Sequence, residues 1–195
     1  MEKPQRSPRE RMVYEAAQAM REDGVGGAAL RTVATRATAP RGSLQHYFPG
    51  GKDQLVTEAL EWSGEFAAEQ VRAYLRGTRR PSPSGMFNDL VRWWAAELED
   101  REFARGCPVA ASVVDTANAN PQVRAAAAAA LATWQKPLRS GLRTMGVRPA
   151  RAAALATLML AALEGSLVLA RAERDTHALR VVSRELAPLL DAALP

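Results

Sequence analysis

The sequence is poor in the side chains that most enzymes and metal proteins use. Its 195 residues include one cysteine, Cys107, and two histidines, His46 and His177. One cysteine cannot form an intramolecular disulfide and cannot by itself supply a zinc site. No glycine-rich phosphate loop follows a strand pattern. We therefore expect no enzyme, no metal site and no cofactor.

Long apolar runs and β-branched runs are also missing. No stretch of about 18 uncharged apolar residues is present, as a membrane helix would need. The chain starts Met1-Glu2-Lys3-Pro4 without an apolar signal core. Alanine, leucine and arginine recur throughout, which favours helices over sheets. The sequence predicts an all-α protein that is cytoplasmic and has no membrane partner.

Positive charge is concentrated at the N-terminus. Residues 1–52 hold nine Lys/Arg against five Asp/Glu, a net charge of +4, whereas the remaining 17 basic and 16 acidic residues give +1. A basic first quarter on a nearly neutral body suits a polyanion-binding module, although a charged stretch is often only a solvated face.

The first three predicted helices have the spacing of a helix-turn-helix domain. Residues 7–10 read Ser-Pro-Arg-Glu, a capping box with proline at the first helical position. A second short helix covers 30–37, and Thr38-Ala39-Pro40 separates it from a third that runs from Arg41 to Tyr47. Two short helices behind a longer first one indicate helix-turn-helix geometry.

Glycine and proline divide the rest of the chain into about six further helices. Pro49-Gly50-Gly51 precedes a long helix from Lys52 to about Arg76, and a loop follows at 78–85. Further helices are predicted at about 86–100, 107–117, 121–145, 150–173 and 176–193. We predict about nine helices, with a DNA-binding domain at 1–52 and an effector-binding and dimerisation domain at 53–195.

The third helix carries the polar donors that a recognition helix needs. Arg41 can donate two hydrogen bonds to a guanine edge, and Gly42 allows close approach. Ser43 and Gln45 are candidates for base edges or phosphates, whereas His46, Tyr47 and Lys52 suit the DNA backbone. A solvated polar helix without DNA remains the alternative.

The N-terminal quarter resembles the DNA-binding domain of the TetR family in the order and spacing of its motifs. The motifs are Arg9-Glu10-Arg11 with Ala16-Ala17, Leu30-Arg31-Thr32-Val33-Ala34, Gly42-Ser43-Leu44-Gln45-His46-Tyr47-Phe48-Pro49 and Lys52-Asp53-Gln54-Leu55. The extra glycine at 50–51 is similar to the LmrA/YxaF branch, as are Gly106-Cys107-Pro108-Val109-Ala110-Ala111 and Ala161-Ala162-Leu163-Glu164-Gly165. The resemblance spans nearly the whole chain.

The resemblance implies a repressor whose two recognition helices enter successive major grooves of a near-palindromic operator. The candidate contacts to double-stranded DNA are Arg31, Thr32, Arg41, Gly42, Ser43, Gln45, His46, Tyr47 and Lys52. Two positions depart from the family pattern. Gln45 replaces the usual tyrosine, and alanines at 28–29 replace a capping Ser or Thr, so we expect a different operator sequence or affinity.

The family also dimerises through its last two helices, and the sequence supports a homodimer independently. The eighth predicted helix is apolar nearly all round, so a monomer would expose much of it. The candidate interface residues are Ala152, Leu155, Ala156, Leu160, Leu179, Val182, Leu186 and Leu190.

In this family a small-molecule effector binds inside the C-terminal domain. The candidate ligand residues are Trp62, Phe66, Trp93, Trp94, Phe103, Cys107, Trp134, Met159, Leu163 and Glu164. Core packing is the alternative for each apolar member. Glu164 suits a ligand contact or a neighbouring donor, and Cys107 suits a buried small hydrophobe better than a redox sensor.

These observations predict a ligand-released transcriptional repressor. The competing hypothesis is a helical adaptor or a small-molecule or lipid-binding module that does not bind DNA. The salt dependence of retention on DNA separates the two.

Overall fold

The computed structural model describes residues 6–40, 43–116 and 118–194, and every regular element within those ranges is an α-helix. The nine described helices are α1 (Pro8–Gly27), α2 (Leu30–Arg36), α3 (Ser43–Tyr47), α4 (Gly51–Gly77), α5 (Pro83–Asp100), α6 (Pro108–Thr116), α7 (Pro121–Thr144), α8 (Pro149–Glu173) and α9 (His177–Asp191). The prediction of an all-α fold with about nine helices is confirmed.

The chain forms two compact units. The N-terminal unit consists of Met1–Gly64 and Pro108–Ala130, and the C-terminal unit consists of Glu65–Cys107 and Leu131–Pro195. The helix-turn-helix therefore shares its unit with α6 and the first part of α7. The assignment of DNA binding to 1–52 and effector binding to 53–195 stays a prediction.

Helix α1 begins as its sequence predicts. The Ser7 hydroxyl accepts a hydrogen bond from the Glu10 amide at 3.3 Å, and the Glu10 carboxylate accepts one from the Ser7 amide at 2.7 Å. This reciprocal pair is a capping box, which satisfies two amides that a helix start leaves unpaired. It also lowers the pKa of Glu10, chiefly through the Ser7 backbone amide.

Helix α5 begins earlier than its sequence pattern indicates. The loop was predicted to run to residue 85, but the helix starts at Pro83. The Ser82 hydroxyl accepts a hydrogen bond from the Gly85 amide at 3.0 Å and so caps the first turn. Proline at the first helical position has no amide to satisfy, which is why Ser82-Pro83 starts a helix here.

The core of the C-terminal unit lies among α5, α8 and α9, which pack against one another. Their fully buried side chains include Phe87 from α5, Leu155 and Leu163 from α8, and Leu179 and Leu190 from α9. Burying each such side chain stabilises the fold by about 1.5–3 kcal/mol.

Polar contacts join α5 to the last helix and its cap. The Ser84 hydroxyl donates to the Asp191 carboxylate at 2.7 Å, and the Thr176 hydroxyl donates to Glu99 at 3.0 Å. Because these contacts sit at the two ends of α9, they fix its position along α5.

Helix α8 is unusual in having no polar face. It is long and apolar enough by composition to cross a membrane, with a mean hydropathy of 1.9 over 18 residues, 44% of which are buried within the protein. The core helix of a globular protein has the same composition, and the buried side of α8 faces α5 and α9.

Candidate nucleic-acid interface and effector site

The turn between α2 and α3 is closed by the backbone. Thr38 adopts a left-handed conformation with φ of 53°, and the Ala39 amide donates to the Ala34 carbonyl at 3.0 Å. This hydrogen bond runs from the sixth residue of the segment back to the first, which is the bond that closes a Schellman motif at the end of a helix. It turns the chain sharply after α2, as a helix-turn-helix requires.

Helix α3 presents a polar face above two apolar anchors. Leu44 and Phe48 are buried in the N-terminal unit, whereas Gln45 and His46 are exposed. The His46 ring meets the ring of the half-buried Tyr47 edge-on at 5.1 Å between centroids. Because the apolar residues hold the helix from below, the amide and imidazole groups are left for a partner.

Ser43 has a structural role at the start of α3. Its hydroxyl donates to the Pro40 carbonyl at 2.6 Å, and its amide donates to the same carbonyl at 2.9 Å. The predicted contacts Arg41 and Gly42 lie outside the described residues. Ser43 therefore has its hydroxyl proton engaged internally and offers DNA only acceptor lone pairs.

Helix α2 carries two arginines, one of which forms an ion pair within the unit while the other is exposed. Arg36 forms an ion pair with Glu22 at 2.7 Å and so braces α2 against α1. Arg31 and its neighbour Thr32 are exposed at the start of the helix. Of the two arginines, Arg31 is the better placed to meet a phosphate.

The extra glycine before α4 has a conformational reason. Gly51 has φ of 69°, a value that favours glycine, and its amide donates to the Phe48 carbonyl at 2.9 Å. The Gln54 side chain then accepts the Gly50 amide at 2.9 Å. This turn fixes the half-buried Lys52 in the first turn of α4, next to the end of α3.

Sequence reasoning missed a polar contact that joins α1 to α4. The Arg9 guanidinium forms an ion pair with Glu58 at 2.6 Å and lies over the Phe48 ring at 5.3 Å. Gln54 donates to the same carboxylate at 3.0 Å. Arg9, the first residue of the Arg-Glu-Arg motif at 9–11, therefore links α1 to the corner between α3 and α4.

The predicted ligand residues fall into both units. Trp62 belongs to the N-terminal unit, where its ring meets Tyr14 edge-on at 5.4 Å. In the C-terminal unit, Phe66, Trp93 and Trp94 form a chain of ring contacts with centroids 5.5 and 5.0 Å apart. Trp62 thus packs with Tyr14 of α1.

The other predicted ligand residues lie in the C-terminal unit, most of them buried. Met159 and Leu163 are fully buried on α8, and Cys107 is buried just before α6. Phe103 is half-buried in a tight turn, with φ of 60°. Trp134 is buried, and its indole N–H has no acceptor among the described residues.

Glu164 has a buried carboxyl group in the apolar interior of the C-terminal unit. Apart from the thiol of Cys107, a weak donor, neither carboxyl oxygen has a hydrogen-bond partner among the described residues. Burial raises the pKa of Glu164 to about 7, and the thiol offsets this only in part. A buried polar group without a partner is costly, so this carboxyl is a candidate for ligand contact.

Most of the predicted dimer residues are buried within one protomer. Six of them are buried in the core, namely Ala152, Leu155, Ala156, Leu160, Leu179 and Leu190, whereas Val182 and Leu186 are half-buried. The apolar side chains that α8 exposes are different ones: Leu158 is 37% exposed, Val168 62% and Leu169 51%. The predicted residues thus contribute mainly to the core of one protomer, and the exposed surface of α8 is formed by other side chains.

The fold is shared with solved structures of transcriptional regulators. The crystal structure of a TetR transcriptional regulator from Legionella pneumophila matches with a TM-score of 0.83 and 18% identity, covering 96% of this chain and all of the other. At that identity the likeness shows the fold alone. The described residues therefore define the fold class: an all-α protein with the TetR architecture and a helix-turn-helix near its N-terminus.

Sequence relatives show the family. A family model of the C-terminal domain of LmrA/YxaF-like transcriptional regulators matches residues 83–185. The HTH-type transcriptional regulator Rv0196 of Mycobacterium tuberculosis is 37% identical over 193 residues, covering 96% of both chains. LmrA of Bacillus subtilis is 25% identical, covering 93% of this chain and 96% of that protein. The chain belongs to the LmrA/YxaF-like branch of the TetR family of transcriptional regulators.

Proposed function

We propose that this regulator is a homodimeric repressor that binds a near-palindromic operator through α3 and leaves it when a small molecule binds the C-terminal unit. The observation that carries the DNA-binding part is the exposed polar face of α3, held by buried Leu44 and Phe48. Two such helices in a dimer would read half-sites roughly 34–36 Å apart. The protein would act in the cytoplasm, where its DNA lies.

The exposed apolar side of α8 supports the homodimer. Leu158, Gly165 and Leu169 follow one another at helical spacing along this side. A Cβ atom at Gly165 would meet open space, so a partner helix has room to approach. A second copy carries the same stripe, and twofold pairing would cover both at once.

The effector class follows from what the C-terminal unit offers. Its interior is apolar and aromatic, and it contains two polar groups in need of partners, the Glu164 carboxyl and the Trp134 indole N–H. A planar apolar ligand with a few hydrogen-bonding groups would meet both requirements. Release follows if the ligand favours a dimer whose recognition helices no longer fit adjacent grooves.

The test is binding of the purified protein to its own upstream intergenic DNA, followed by fluorescence anisotropy at several salt concentrations. Wild type should bind this duplex far more tightly than a scrambled one, and Arg41→Ala should lower specific affinity about tenfold or more. Arg79→Ala, at an exposed arginine in the loop before α5, is the matched control and should bind as wild type does.

Two outcomes decide between repressor and adaptor. Release from the operator by a member of a panel of planar antibiotics and flavonoids supports the full proposal. Equal affinity for operator and scrambled DNA at physiological salt contradicts it and favours the adaptor without DNA binding.

The dimer has its own test by light scattering after size exclusion without detergent. Wild type should elute with twice the protomer mass, and Leu169→Glu should shift it toward the monomer because a charge cannot be buried unpaired. Ser140→Glu adds the same charge at an exposed position of α7 and should leave the dimer intact. A monomeric wild type, or one that stays in solution only with detergent, contradicts the proposal.

A further inference from the structure

Helix α1 is broken near its end. Asp23 and Gly24 have non-helical backbone angles, and Gly24 adopts φ of 65° with ψ of −161°. That combination belongs to a region that only glycine enters readily. The chain then resumes a helical turn from Val25 to Gly27, so the Val25 amide begins a new turn without an intrahelical acceptor.

The acceptor for this amide comes from α6, 90 residues later in the chain. The Asp115 carboxylate accepts the Val25 N–H at 2.9 Å. It does what the side chain of an N-cap residue does at an ordinary helix start, but from another helix. We call this contact between Asp115 and Val25, across the break at Gly24, the α6 clasp.

The glycine at the break is needed for space as well as for its backbone angles. A Cβ atom at Gly24 would lie 1.9 Å from the Asp115 carboxylate oxygen Oδ2. Any other residue there would be strained by this backbone conformation, and its Cβ would displace the Asp115 carboxylate from its place beside the Val25 amide. The break and the acceptor therefore fit each other.

The α6 clasp lies directly before the helix-turn-helix. Val25 and Ala28 are buried in the corner between α1 and α2, and α2 begins at Leu30. Helix α6 packs along α1, and its first residue, Pro108, is joined by a peptide bond to Cys107 of the C-terminal unit. The path of the chain into α2 thus depends on a carboxylate held by α6.

We propose that Asp115 is a positioning residue for DNA binding: by accepting the Val25 amide, it fixes the α1–α2 corner and so the orientation of the helix-turn-helix. The inference rests on the proposed operator binding. Asp115 carries a negative charge and contacts no base or phosphate in this role. Its loss therefore has two separable effects, a weaker hold on the corner and a gain of one unit of positive charge.

These two effects change DNA binding in opposite directions. Removing a carboxylate from a basic unit strengthens non-specific attraction to DNA at low salt. Loosening the corner weakens specific binding, because the recognition helix must be reordered on the operator. A positioning role thus predicts a loss of affinity for operator together with an equal or higher affinity for scrambled DNA.

The experiment compares Asp115→Ala, Asp115→Asn and Glu61→Ala by anisotropy on operator and scrambled duplexes in the same salt. Glu61 is an exposed carboxylate on α4 in the same unit, so its removal makes the same change in charge. We expect Asp115→Ala to lose about three- to tenfold in operator affinity. Asp115→Asn keeps an acceptor oxygen and should stay within about twofold of wild type.

Hydrogen exchange of the free protein tests the same idea without DNA. Amides from Val25 to Arg36 should exchange faster in Asp115→Ala and at the wild-type rate in Glu61→Ala, since only the first variant opens the corner. Thermal unfolding of all variants shows whether the alanine variant is still folded, and the asparagine variant provides the folded comparison if it is not.

The outcomes separate this proposal from the proposed function. Operator affinity that falls in Asp115→Ala, recovers in Asp115→Asn and does not fall in Glu61→Ala supports Asp115 as a positioning residue. Equal changes in Asp115→Ala and Glu61→Ala, or unchanged exchange from Val25 to Arg36, overturn it. If wild type itself does not prefer operator, operator binding fails, while the exchange result still decides whether Asp115 holds the corner.

Discussion

The two compact units differ in where their candidate polar groups lie, at the surface of the N-terminal unit and in the interior of the C-terminal unit. In the N-terminal unit, the candidate DNA contacts Gln45, His46 and Arg31 are exposed on short helices that apolar anchors hold from below. In the C-terminal unit, the polar groups of interest are the carboxyl of Glu164 and the indole N–H of Trp134, both buried. The candidate DNA contacts are hydrated in the free protein, whereas the Glu164 carboxyl and the Trp134 indole N–H are withdrawn from water.

This difference has a consequence for mutations. Truncating an exposed contact should change affinity and leave stability almost unchanged, whereas a change in the C-terminal interior should alter stability first.

The largest expected effect is on the stability of the C-terminal unit. Leu155 on α8 is fully buried, so Leu155→Ala should lower the free energy of unfolding by about 2–5 kcal/mol through lost burial and the cavity left behind. Denaturant unfolding measures the loss. The exposed contact change, His46→Ala, should cost far less. A small effect of Leu155→Ala would mean that the buried side of α8 is not where the stability lies.

The second effect depends on pH and comes from Glu164. Its carboxyl titrates near its ordinary value of 4.5 in the unfolded chain, whereas burial raises the pKa to about 7 in the folded protein. Below pH 4.5 both states hold the proton. Between pH 4.5 and 7 the unfolded chain binds fewer protons than the folded protein, so the folded state loses stability over this range, by up to about 3 kcal/mol once the pH is above 7.

The glutamine variant measures this loss. Glu164→Gln cannot ionise and should be more stable than wild type at pH 8, with the difference disappearing near pH 4.5, as followed by chemical denaturation across the pH range. Glu61→Gln, at an exposed carboxylate, should show no such pH-dependent gain. An unchanged pH profile in Glu164→Gln would show that the carboxyl has a partner in solution.

The smallest expected effect compares helix caps in the two units. Ser7 caps α1 and Ser82 caps α5, and replacing either with alanine should cost about 1 kcal/mol. Hydrogen exchange should show the loss in the first turn of α1 for Ser7→Ala and of α5 for Ser82→Ala. If either substitution raised exchange in both units together, the two units would be unfolding as one.

The sequence predicted the helices well because their ends are determined locally. The capping box at Ser7, the prolines at 121 and 149 and the glycines before α4 each act within a few residues, so they can be read from the chain. The predicted members of the α3 surface rest partly on family resemblance, and Ser43 shows the limit of that reasoning. Its hydroxyl is used to start the helix, which residue type alone does not reveal.

Contacts between distant segments could not be predicted in this way. Glycines at 24, 26 and 27 are typical of a helix end, but the acceptor that makes a break there stable lies 90 residues away at Asp115. The inner and outer sides of α8 were equally hidden, because a helix that is apolar all round has no periodic signal to separate them. The predicted dimer residues of α8, namely Ala152, Leu155, Ala156 and Leu160, therefore lie on its buried side, and the dimer interface stays a prediction.

The make-up of the N-terminal unit has a consequence for how the protein is made. Its second segment, Pro108–Ala130, is synthesised well after Met1–Gly64, with the residues between them belonging to the other unit. At translation rates of about 5–20 residues per second, the first three helices wait several seconds on the ribosome before α6 emerges. Until then, the Val25 amide has no carboxylate to bind. A nascent chain or a fragment that stops before residue 115 therefore contains the whole helix-turn-helix but lacks the carboxylate that binds the Val25 amide at its first corner.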